Sequence, residues 1–202
     1  MRCGQSRTIF SRGPGFSEPH GYNFNGFLIS DRTGNLAIDP VEPSEETLNE
    51  LAQRGVSRIL LTNRNHVRGA NRVRASTRAR TAIHPGDAAY ARGQGAELDD
   101  ELQVGGKIGP LTVIGVPGKS VGEVAFHWQE RRLLIVGDAV VGNPPGRLGL
   151  LREKVMDEPA RLRESVQQLL ALEFDTLLVG DGESVLHDAR QRLRELVDLF
   201  PK

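Results

Sequence analysis

Four short segments carry most of the side chains able to do chemistry, and each follows a short apolar run. They are Thr62-Asn63-Arg64-Asn65-His66-Val67-Arg68-Gly69-Ala70, Pro117-Gly118-Lys119-Ser120-Val121-Gly122, Gly137-Asp138-Ala139 and Gly180-Asp181-Gly182. Carboxylates such as Asp138 and Asp181 ligate cations or carry protons, whereas Arg68 and Lys119 bind anions or neutralise acids. A Ser-Lys nucleophile pair at Ser120 and Lys119 is disfavoured, because adjacent residues in a strand-end loop usually point apart. Gly13-Pro14-Gly15-Phe16-Ser17 matches neither a phosphate loop nor a nucleophile elbow. Cys3, near the N-terminus, is a poor nucleophile.

The elements that must position these loops are read from hydrophobic period. Residues 22–30 and 34–39 read as two strands around a turn at Asp31-Arg32-Thr33-Gly34. A helix follows over 44–54, with Ser44 as cap, Glu45 and Glu46 at its positive end and Gly55 as exit. Residues 56–62 read as a buried strand, then a loop leads into a helix and a short strand near 80–83. Strands are expected at 97–104, 111–116, 123–129 and 132–136, joined as antiparallel hairpins. A helix over 158–172, capped by Asp157 with Pro159 in its first turn, precedes a strand at 176–179. A last helix is expected over 184–199. A βαβ unit, a β-rich middle and an αβα end fit an α/β fold with sheets packed face to face and helices outside.

Composition narrows the class. The 202 residues carry 26 basic and 26 acidic side chains, a formal net charge of zero. That size suits one domain over 1–202, and the balance argues against a polybasic nucleic-acid or membrane-surface protein. With a single cysteine, an intramolecular disulfide and a Cys-ligated zinc cage are both excluded. The N-terminus has no apolar run of signal-peptide type, and no stretch nears the roughly 18 apolar residues of a spanning helix. A soluble, cytoplasmic protein with no membrane partner is the expectation.

The four loops, in this order and spacing, resemble the metallo-β-lactamase fold superfamily, which includes glyoxalase II-type thioesterases. ILLTNRNHVRGA has the frame of that family's THxHxDHxGG, and VPGKSVGEVAFHW is similar to its PGHTxGS. LLIVGDAV matches its GD after an apolar strand, and LLVGDGE is similar to its late GHG. FLISDRTGNLAIDP, ending at Asp39, and AIHPGDAAY are similar to two further stretches. The resemblance covers about 20–182 and implies a four-layer αββα sandwich with two metal ions at the strand-end loops.

The departures from that family are as informative. Its seven metal-ligand positions fall here on Asn63, Asn65, Val67, Arg68, Lys119, Asp138 and Asp181, and only Asp138 keeps its identity. Zinc favours imidazole, thiolate and carboxylate, so two amides, a valine and two cations suit it badly. Two cations beside a divalent ion repel it by several kcal/mol, even at an effective dielectric of about 20. The resemblance therefore implies a vestigial pocket with no metal, no catalytic residue and no zinc, hence a pseudoenzyme or small-ligand-binding relative. The seven positions then hold a salt-bridge cluster of Arg68, Lys119, Asp138 and Asp181 where metals stand in relatives. Alternatives stay open. One is a hydrolase of thioesters, lactones or phosphoesters with a remade mononuclear site, built from His20, His66 or His187 with Asp138. His66 falls between ligand slots of the motif, so a shift of register does not restore the set. Another is an oxygen-only site for Mg²⁺ or Ca²⁺ from Asn63, Asn65, Asp138 and Asp181, against which Lys119 counts. His84 and His127 read as structural residues.

Residues 51–86 hold eight arginines and no acid. Arg64, Arg68 and Arg72 recur at spacing four and would make a cationic face for a small anionic ligand. The plainer reading, which we favour, pairs the arginines with the acidic stretch Glu97, Asp99, Asp100 and Glu101. Without interleaved aromatics, nucleic acid is a poor fit. A homodimer is expected by family analogy alone.

Overall fold

The computed structural model describes residues 9–11, 16–17, 21–31 and 34–201. Its first sheet is built from β1 (Ile9–Ser11), β4 (Gly26–Ile29), β5 (Asn35–Ile38), β6 (Val56–Leu60), β7 (Arg80–Ile83) and β8 (Asp100–Glu101), in that spatial order. β2 (Phe16–Ser17) and β3 (Tyr22–Asn23) pair separately. The second sheet runs β13 (Thr176–Val179), β12 (Leu133–Val136), β11 (Val124–Trp128), β10 (Leu111–Gly115) and β9 (Lys107–Ile108). Helices α1 (Glu45–Arg54), α2 (Ala70–Thr77) and α3 (Pro85–Gly93) belong with the first sheet, and α4 (Pro159–Gln168) and α5 (Ala189–Val197) with the second.

Side-chain alternation makes the layers. Phe27 and Ile29 of β4, Leu36 and Ile38 of β5, Phe126 of β11 and Ile135 of β12 meet between the sheets. Their neighbours Leu28 and Ala37 face α1–α3 instead, with Leu48, Leu51, Ile59 and Val73. Ala125, Leu134 and Val136 turn toward α4 and α5, meeting Leu162, Val166 and Leu193. The central strands β4, β11 and β12 thus bury both faces, and period two fixes the face of each residue. Helices, sheet, sheet and helices follow one another: the four-layer α/β sandwich expected from sequence.

Strand direction then sets where loops gather. β5, β6, β7 and β8 are parallel, as are β12 and β13. Asp39 and Thr62 lie just past β5 and β6, and Asp138 and Asp181 just past β12 and β13.

Several boundaries differ from the sequence expectation. Of 97–104, only Asp100 and Glu101 form a strand, and it joins β7 in parallel rather than extending the hairpins. Arg80 on β7 holds the Asp100 carboxylate at 2.6 Å, which places β8 at that edge. Helix α3 was not anticipated: Pro85 opens it, His84 accepts from the Gly86 amide, and two glycines mask its pattern. Asp157 does not cap α4, because its carboxylate goes to Arg64 at 2.6 Å. Helix α5 starts at Ala189, not near 184, because Val185 exchanges two backbone hydrogen bonds with Leu177. The ends 1–8 and 202 lie outside the described residues.

Gly118, in the loop between β10 and β11, has a φ of 137°, and a Cβ there would sit 2.3 Å from the Leu162 backbone nitrogen. Its carbonyl accepts from the Glu158 amide at 2.7 Å, tying the loop to the start of α4. Gly118→Ala should therefore cost at least about 2 kcal/mol, read as a lower urea midpoint at unchanged slope.

Candidate functional site

Asp39 organises the first side of the cleft. It follows β5 at a φ of 45°, where its amide donates to the Leu60 carbonyl. Its Oδ1 accepts from the Thr62 amide at 2.8 Å and its Oδ2 from the Thr62 hydroxyl at 2.6 Å. The same Oδ2 lies 2.8 Å from Nδ1 of His66. All three side chains are buried. The other ring nitrogen, Nε2, lies 3.1 Å from Oδ1 of Asp138, so the imidazole spans the gap between the two sheets' loops. Close approach is possible because residues 137 and 180 are glycines. A Cβ at Gly137 would sit 2.2 Å from the Thr62 hydroxyl, and one at Gly180 would sit 2.7 Å from the His66 ring.

Two cations complete the cleft. Lys119 Nζ lies 2.8 Å from Oδ2 of Asp138 and also donates to Oδ1 of Asn65. Arg68 donates to Asp181 at 2.8 Å and stacks 4.3 Å from the Phe24 ring centre. Asp181 is held in turn by the chain before β4: Phe24 bridges to it, and the Asn25 side chain donates to the carbonyls of Val179 and Gly182. Asn63 turns inward, its Oδ1 accepting from the Asn65 amide, while its Nδ2 is buried without a hydrogen-bond partner among the described residues.

Asp87, at the start of α3, locks the two loops together. Its carboxylate accepts from the Arg64 amide at 2.8 Å, the Ser120 hydroxyl at 2.6 Å and the Gly122 amide at 2.9 Å. Nothing in the sequence singles it out: it lies inside AIHPGDAAY, and its role depends on a helix that the glycines conceal.

The electrostatics follow from burial and from these pairings. Burial and the Arg68 charge push the His66 imidazolium down, but the carboxylates of Asp39 and Asp138 outweigh them and raise it to about 10. Burial pushes Asp138 up, yet His66 and Lys119 prevail and hold it well below the usual carboxylate range. Asp181 moves the other way: burial and the Asp138 charge raise it against the pull of His66 and Arg68. Glu123 is the outlier. Both its oxygens are buried with no hydrogen-bond partner, and burial together with the Asp138 charge raises it well above a normal glutamate.

Of the residues picked from sequence, Asn63, Asn65, Arg68, Lys119, Asp138 and Asp181 line this cleft. Val67 does not, since it packs against the core between the first sheet and its helices. His66 requires a correction. Placed between ligand slots by the motif and named only for the alternative remade site, it lies at the centre, and with Asp138 and Asp181 it presents ligand atoms all within 4.8 Å of one another. The expectation that the cleft holds no metal-ligating group is too strong, because the loop turns an intervening residue inward. His187 is exposed beside Asp175, and His127 lies 3.0 Å from the Glu173 carbonyl. His20 lies outside the described residues.

The three arginines considered for an anion are engaged by the chain's own acids: Arg64 by Asp157, Arg68 by Asp181, and Arg72 by Glu42 and Glu45. Arg58, Arg74 and Arg80 pair with the 97–100 acids. Among the described helices, none is long and apolar enough to cross a membrane.

The family model described as the metallo-beta-lactamase superfamily matches residues 9–200. Among curated relatives, a hydroxyacylglutathione hydrolase from Cereibacter sphaeroides is 32% identical over 177 residues, covering 81% of this chain and 64% of that protein. A second from another strain of that species is 33% identical over 171 residues, with the same coverage. The chain thus spans 64% of the length of these relatives. Among solved structures, a metallo-beta-lactamase from Pontibacter korlensis has a TM-score of 0.73 at 15% identity, over 99% of this chain and 98% of its own. The protein TTHA1623, solved in a di-iron-bound form, has a TM-score of 0.65 at 24% identity, over 91% and 94%. These two show a shared fold.

Because His66 is raised, its contribution to stability is full below its ordinary value of 6.5 and is lost as pH climbs through about 10. Asp138, being depressed, contributes above its ordinary value and loses that contribution in acid. Ring ¹⁵N shifts should show His66 still an imidazolium at pH 8. Its share of the alkaline decline in urea stability should vanish in His66→Gln.

Proposed function

The chain belongs to the metallo-beta-lactamase superfamily, and we propose that it is a member in which fixed side-chain charges replace the metal pair, making it a pseudoenzyme or small-ligand-binding relative of the hydrolases. One observation carries this reading. The Lys119 ammonium sits 2.8 Å from Asp138, the one residue that keeps its identity among the family's ligand positions. Arg68 on Asp181 repeats the substitution at a second ligand position.

Charge counting supports it. Asp39, Asp138 and Asp181 face His66, Lys119 and Arg68, so an imidazolium, an ammonium and a guanidinium balance three carboxylates without any ion. A pair of metal ions does not fit this set. Asn63 and Asn65 offer only amide oxygens, Val67 points into the core, and two cations occupy carboxylate oxygens that an ion would need. A partner lost from such a buried pair costs about 3–5 kcal/mol, so the network is hard to dismantle.

A second reading rests on the His66, Asp138 and Asp181 group, whose spacing suits a single ion. On that reading the protein is a metal-dependent hydrolase with a remade site, acting on thioesters, lactones or phosphoesters. The cations on both carboxylates favour the first.

Protein purified without chelators and analysed for transition metals separates the two. The expected result is far less than one equivalent of zinc, manganese or iron, and no turnover of a hydroxyacyl-glutathione thioester above background. A stoichiometric ion with thioesterase activity that chelation abolishes would overturn the replacement reading. Lys119→Ala should lower stability by about 3 kcal/mol, measured by urea unfolding, because it removes one of the two cations on the buried Asp138 carboxylate.

A further inference from the structure

We propose that the cleft is a latent mononuclear metal site, with His66, Asp138 and Asp181 as ligands, kept closed by Lys119 and Arg68. The inference rests on the charge-replacement reading and adds what enforces it. The inward side chains are not a ruined set that no ion could use. They form a coherent donor set to which two cations are docked.

His66 carries the argument. Its Nδ1 lies 2.8 Å from Asp39 Oδ2, and Asp39 is itself fixed by the Thr62 amide and hydroxyl. A carboxylate on one ring nitrogen, anchored from behind, is the support that orients a metal-binding histidine and aims its other nitrogen at the ion. Here that other nitrogen points at Asp138, 3.1 Å away. Asp138 and Asp181 add oxygens so that the three donors lie within 4.8 Å of one another, and all three residues are buried. One imidazole and two carboxylates suit a first-row divalent cation such as zinc.

Lys119 and Arg68 each occupy one oxygen of these two carboxylates. Together they carry two positive charges, the charge that a divalent ion would bring, and an ion bound at Nε2 also releases the His66 proton to solvent. Replacing both with neutral residues leaves two negative charges uncompensated at the donor atoms and removes the repulsion between fixed cations and the ion. The latch is therefore electrostatic, and its residues differ from the ligands.

The test is zinc binding by the parent, by Lys119→Gln, and by the double variant Lys119→Gln with Arg68→Gln, using zinc chloride in calorimetry and cobalt chloride in visible absorption. The double variant should take up one equivalent, at least about 100-fold tighter than the parent, with a cobalt spectrum of low-symmetry coordination. Adding His66→Gln should abolish the gain. If the double variant is unfolded without metal, circular dichroism should show it refolding with one equivalent of zinc. Lys119→Gln alone, which keeps the Arg68–Asp181 pair, should gain affinity by a smaller factor. A parent without metal whose folded variants gain nothing would overturn the latch and leave the charge-replacement reading standing. A parent that already holds one equivalent would overturn both.

Discussion

Asp138 is buried between an imidazole and an ammonium, and the rest of the cleft is arranged around the need to neutralise it. A carboxylate taken out of water demands an opposite charge and hydrogen bonds, since leaving it alone costs far more than any single contact returns. His66 can serve because Asp39 holds it from behind, and Lys119 can serve because the Asn65 amide oxygen accepts another of its hydrogen bonds. Removing any one member leaves a buried charge short of a partner. The interaction is thus cooperative, and the glycines at 137 and 180 give it the space in which to close.

The same logic explains why Glu123 stands apart. It has no hydrogen-bond partner, and it shares its surroundings with Asp138, Lys119 and His66. With three cations already matched by three carboxylates, a fourth acid has no countercharge left, so burial drives it toward the neutral form. The raised Glu123 and the depressed Asp138 are therefore two consequences of one charge count.

The layered fold was legible in the sequence because period two and the strand-end loops survive substitution: Phe27, Ile29, Phe126 and Ile135 still alternate toward the space between the sheets. That Lys119, Asp138, Arg68 and Asp181 share one cleft followed from the resemblance of their loops to the family's motifs. What could not be read was the turn of the 62–68 loop, which buries His66 and sends Val67 to the core. A motif gives the order of residues, but the direction of a side chain in a loop depends on backbone angles that only packing sets. The 97–101 acids illustrate the same limit. Their charge announced partners for the arginines, yet not that Asp100 and Glu101 would dock as an edge strand.

Among the described residues Asp87 takes part in none of the ion pairs, yet its one carboxylate gathers the Arg64 amide, the Ser120 hydroxyl and the Gly122 amide from two separate loops. The outline of the cavity is thus inherited from helix α3, an element that brings no reactive group of its own. Scaffold and chemistry can then diverge independently. A lineage can exchange one inward side chain after another, even crossing from coordination to ion pairing, while the walls stay where they were.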